Sequence, residues 1–71
     1  MNRLQILALN KTAGVFETYV DAASLMAFFQ RTGRMHNYQV ILTKGARCAN
    51  LDGIKDPREM VKQIYEFERL G

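Results

Sequence analysis

Tyr38-Gln39-Val40-Ile41-Leu42-Thr43-Lys44 is the stretch on which the fold turns. It is rich in β-branched and aromatic residues and is followed at once by Gly45, so it reads as a β-strand closed by a tight turn. Side chains alternate across a strand. Tyr38, Val40 and Leu42 therefore share one face and are expected in the core, while Gln39, Ile41 and Thr43 share the other.

Working outward from it, Ala46–Leu51 returns as an antiparallel strand or, because Ala and Asn are poor strand formers, as a plain loop. Asp52-Gly53 marks a turn. Asp56-Pro57-Arg58-Glu59 then carries the sequence pattern of a helix start: a capping Asp, Pro at the first helical position, and a Glu placed to reach back to the cap amide. The helix is expected from Pro57 to about Leu70. Met60, Val61, Ile64, Phe67 and Leu70 form its buried stripe, and Lys62–Glu66 an outer i,i+4 pair.

Upstream the same grammar recurs. Leu4–Leu9 is a short aliphatic strand, Asn10–Gly14 a turn, and Val15–Val20 a second strand. Asp21 caps a helix from Ala22 to about Thr32 that presents Ala22, Leu25, Phe28, Phe29 and Thr32 on one face. Gly33 ends it, with Arg31 in the last turn. Met26, beside the adjacent Phe28 and Phe29, makes this helix apolar on more than one side. Arg34–Asn37 is a connector. The order is ββαββα, and the halves superpose: Leu4–Leu7 falls on Tyr38–Ile41, Asp21 on Asp56, and Phe29 on Ile64. This ββα pseudo-repeat implies a compact α+β domain, residues 1–71, with both helices on one face of an antiparallel sheet.

That architecture leaves the other sheet face bare. Leu7, Leu9 and Ile41 would lie on it, with either Phe16 or Tyr19 from the second strand; Tyr19 is taken here with Leu7, Leu9 and Ile41 as a dimer or docking face. It is too apolar for open water. A chain of 71 residues buries only about 60% of its unfolded surface and draws roughly 3–5 kcal/mol from its core. Pairing as a homodimer would add support.

Composition narrows the chemistry. One cysteine, Cys48, excludes an internal disulfide and points to a reducing, cytoplasmic setting. The run after Arg3 is too short for a secretory h-region, and no stretch is long enough for a membrane span. The net charge is +3, and no acid occurs between Asp21 and Asp52. That segment holds Arg31, Arg34, His36, Lys44 and Arg47, a candidate surface for an anionic partner.

No catalytic constellation is legible. His36 and Cys48 are the only residues of their types, with no third group to orient a Cys–His pair. Cys48 reads as a small buried residue on an Ala-rich strand. One cysteine and one histidine do not make a zinc site, and Asn50, Asp52, Gly53 and Asp56 lack calcium-loop spacing. No metal, no cofactor and no enzyme activity are expected. The leading expectation is a small non-enzymatic binding protein, an inhibitor or regulator of the phage or mobile-element type, docking on a host protein or ribonucleoprotein. That rests on size class and analogy. The alternative is a nucleic-acid-binding regulator that uses residues 31–47 with Tyr38.

Overall fold

A computed structural model describes residues 3–69. Its elements are β1 (Gln5–Asn10), β2 (Phe16–Tyr19), α1 (Ala22–Thr32), a 3₁₀ turn (Met35–Asn37), β3 (Tyr38–Lys44), β4 (Arg47–Leu51) and α2 (Pro57–Arg69). The expected ββαββα order holds, and Arg47–Leu51 is a strand, not a loop. The connector before β3 contains the 3₁₀ turn, which strand and helix periodicities do not register. Leu70 lies outside the described residues.

The strands form one antiparallel sheet in the order β2-β1-β3-β4. This order is symmetric about the β1/β3 pair. Leu7 and Ile41, which superpose in the pseudo-repeat, lie directly opposite each other at its centre. Each ββα unit also folds on itself: α1 covers β1 and β2, α2 covers β3 and β4, and the helices touch over the middle.

The core fills the gap between that helical layer and one sheet face. Ile6, Val40, Leu42, Leu25 and Ile64 are completely buried, with Met60 and Ala8 nearly so. An aromatic cluster closes one end. Phe28 packs edge-on to Tyr38 at 5.3 Å between ring centroids and tilted on Tyr19 at 5.6 Å, geometries that suit the ring quadrupole.

Local chemistry sets the helix ends. Asp21 is extended, and its Oδ1 accepts from the Ser24 amide at 2.8 Å. Gly33 stops α1 in the left-handed region at φ 67°, its amide donating to the Phe29 carbonyl, a conformation that costs any residue with a Cβ. Asp56 Oδ1 accepts from the Arg58 amide at 3.0 Å. Two sequence expectations for α2 are corrected. Glu59 does not close back on the cap, because its carboxylate accepts from Gln63 Nε2, one turn on, at 2.9 Å. Lys62 and Glu66, both exposed, do not form an ion pair; the one ion pair among the described residues joins Lys11 to Asp52 at 2.9 Å, tying the β1–β2 loop to the end of β4.

The β1–β2 loop is built around Asn10. Its Oδ1 accepts from the Thr12 and Ala13 amides, both at 3.0 Å, and from Asn37 Nδ2 at 3.2 Å. An Asx turn in the first half of the chain is thereby bonded to the 3₁₀ turn in the second.

Candidate functional site

Register decides which residues lie on the bare face, since residues directly opposite in an antiparallel pair point the same way. Ile6 faces the core, so its partner Tyr19 does too. This corrects the expected place of Tyr19: its ring packs on Phe28 under α1 and it is no part of the open surface. Its hydroxyl donates to Glu17 Oε2 at 2.6 Å. Partial burial, reinforced by that bond to a carboxylate, pushes the phenol up to about 12. Phe16, opposite Leu9, is the aromatic of the open face.

The open face can be read in rows. The middle row crosses all four strands as Thr18, Leu7, Ile41 and Asn50. On one side of it lie Phe16, Leu9 and Gln39, and on the other Gln5, Thr43 and Cys48. Not one of these positions carries a charge, although charged residues make up 24% of the chain. Phe16 is 62% exposed; Val15 and Val20, flanking β2, are 62% and 71% exposed. Leu7, Leu9 and Ile41 shield one another and are half-buried. Both helices lie on the opposite side, so nothing in the chain's described residues covers this surface.

Cys48 is also on it, and exposed, which corrects its expected burial. Arg47, Ala49 and Leu51 are the β4 residues that turn inward, so Cys48 must turn out. Cys48 pairs with Thr43, while His36 precedes the far end of β3. About 17 Å of strand separates the two levels at ~3.3 Å per residue, and a Cys–His pair does not form.

The basic segment is divided. Arg31, Arg34 and His36 are exposed at the Tyr38 end of β3, with the Arg31 guanidinium 5.8 Å from the Phe28 ring. Lys44 and Arg47 sit at the other end, about 20 Å away along the strand, and both are engaged with α2. Lys44 Nζ donates to the Glu68 carbonyl at 3.2 Å and Arg47 Nη2 to the Phe67 carbonyl at 2.9 Å. The Arg47 guanidinium also lies 4.4 Å from the Phe67 ring centre. These cations satisfy the free carbonyls at the negative end of the α2 dipole. Tyr38 is packed against Phe28 and Phe29 on the helix side and does not lie on the open face.

One concave feature was missed by sequence reasoning. A groove of about 900 Å³ opens between the C-terminal half of α1, the 3₁₀ turn and the start of α2. Met26, Phe29, Met35 and Val61 give it an apolar floor, and His36, Lys55 and Arg58 stand at its margin. Among the described residues no carboxylate lines it. Its parts are scattered in sequence; the half-buried Met26, off the α1 stripe, was the available hint, while Val61, expected in the buried stripe of α2, is only half-buried at the groove.

The chain was compared with known proteins. It matches no family model, no curated protein and no solved structure. Function must therefore be argued from the surfaces themselves. Among the described residues no three His, Cys, Asp or Glu side chains come together in a metal-holding group, and no helix is long and apolar enough to cross a membrane. The other titrating shifts have structural causes. The bonds from Ser24 hold the Asp21 carboxyl below its ordinary range, and the bond and charge of Lys11 do the same for Asp52.

Proposed function

We propose that this chain is a small non-enzymatic binding protein, an inhibitor or regulator that acts by occupying a surface of a protein partner, and that it works as a homodimer paired through the open face of its sheet. The single observation behind this reading is that face: broad, rich in apolar groups and with no charge at any of its strand positions.

A second copy is the occupant the face suits best. An uncharged surface meets its own image without like-charge repulsion, which a foreign partner has no need to avoid. Two-fold pairing requires a self-complementary patch, and the sheet's own pseudo-symmetry puts Leu7 beside Ile41 at the patch centre. Two such faces would stack about 10 Å apart, as in a β-sandwich. The face measures about 20 Å along the strands and about 19 Å across them, from ~3.3 Å per residue and ~4.8 Å per strand. That footprint is smaller than the roughly 800 Å² per partner of a standard interface, so pairing is expected to be weak and concentration-dependent. Pairing would leave the helical layer, with its groove and cations, facing outward for a partner.

The nucleic-acid reading gains less support. It needs a continuous cationic stripe with a stacking aromatic; the cations are split between two ends, Lys44 and Arg47 are tied to α2, and Tyr38 is packed inward. Sedimentation equilibrium over a concentration range tests the proposal. It predicts a mass rising from 8.2 kDa toward twice that, and a stable 8.2 kDa species at millimolar concentration would overturn it.

A further inference from the structure

The groove between the two helices has no part in the pairing described above, and its chemistry is different. Its floor is apolar, and two of the four floor residues are methionines, unbranched and polarisable side chains that repack around varied shapes. Its charged margin has one sign. The nearby acids are engaged locally: Asp56 accepts from the Arg58 amide as a helix cap, and Glu59 accepts from Gln63. The cations Lys55 and Arg58, with His36 beside them, thus line the groove without a carboxylate among its lining residues.

We infer that this groove binds a short amphipathic segment of a partner protein, helical when bound, that carries acidic residues beside its apolar stripe. An apolar trough between two helices accepts the i, i+3/i+4, i+7 side chains of a third. A cationic margin favours acids flanking that stripe and disfavours bases, so it selects by charge as well as by shape. A volume near 900 Å³ is at the upper end for a small-molecule site, and it suits several apolar side chains entering together. The inference rests on the proposed function only in taking the chain to be a binding protein, and it does not depend on pairing of the sheet faces.

The test uses two labelled peptides of about 14 residues, four helical turns, with the same leucine spacing. One carries Glu at the flanking positions and the other Lys. Binding to the full chain is followed by fluorescence anisotropy, and the site is mapped by amide shifts. The Glu peptide is expected to bind and to shift Met26, Met35 and Val61. Arg58→Glu or Lys55→Glu should weaken it about tenfold, as should raising the salt from about 0.05 to 0.5 M; both residues are exposed, so the fold should survive, which circular dichroism checks. Binding should persist in Ile41→Lys, so failure of sheet pairing and failure of the groove give different results. The inference is overturned if the Glu peptide does not bind at millimolar concentration, if the Lys peptide binds equally well, or if the shifts fall on Leu7, Leu9 and Ile41. It is also overturned if dodecanoate fills the groove and the Glu peptide does not.

Discussion

The two faces of the sheet are made of the same strands and differ in what covers them. On the helix side, Ile6, Val40 and Leu42 have no exposure at all. On the other side, Leu7 and Ile41, each one residue along the same strands, lie half open. In both places the side chains are aliphatic and of nearly the same size. Burial by the chain itself separates stability on one face from availability on the other. An apolar residue that the fold does not need is the kind that reports a partner.

The contrast can be broken most severely in the core. Leu42→Ala should cost about 2–5 kcal/mol, comparable to the whole stability expected of so small a domain, so the variant should be largely unfolded by circular dichroism at 25 °C. Ile41→Ala next to it should lower the stability of the monomer, read from denaturant unfolding, only slightly, by about 0.5 kcal/mol. Equal losses at the two positions would erase the distinction between the faces.

Smaller effects should be confined to what holds the helical layer in place. Asp21→Ala removes the cap of α1 and should lower the midpoint of a thermal melt, and Gly33→Ala should do the same through its positive φ. Neither should change self-association measured at equal folded concentration.

Titration reports on the helical layer, since Tyr19 packs on Phe28 under α1 and Asp21 caps α1. The folded-state value of Tyr19 is raised, so its contribution is complete below the unfolded value near 10 and is lost as pH rises toward about 12. Asp21 and Asp52 are held low. Their contributions are complete above the ordinary carboxylate range and fade as pH falls through and below about 4. Tyr19→Phe should flatten the alkaline limb of the stability curve without altering the acid limb.

Much of this fold was legible in the sequence. β3 was placed residue for residue, and the caps at Asp21 and Asp56 fixed where both helices begin. These are local signals, in which a side chain bonds an amide within three residues. What was not legible depended on register. The stretch Val15–Val20 alternates equally well in either parity, and only pairing with β1 sends Tyr19 inward and Phe16 out. The parity of β4, with Cys48 outward, has the same origin. Asn10 looked like an ordinary turn residue, because its bond to Asn37 spans the two halves of the chain. The groove escaped for the same reason: its walls come from α1, the 3₁₀ turn and α2, and no local pattern joins them. The open face itself was inferred from strand alternation, and its lack of charge was in plain view once the rows were assembled.

In the proposed dimer a second copy covers the open face of the sheet. The most direct measurement is a dilution series followed by amide and methyl NMR shifts, on the wild-type chain and on Leu7→Lys. The dimer should give concentration-dependent shifts centred on Leu7, Leu9, Phe16 and Ile41, silence at Met26 and Val61, and loss of the dependence in Leu7→Lys with the fold intact. Shifts that do not move with concentration, or that move on the helical layer instead, would contradict it.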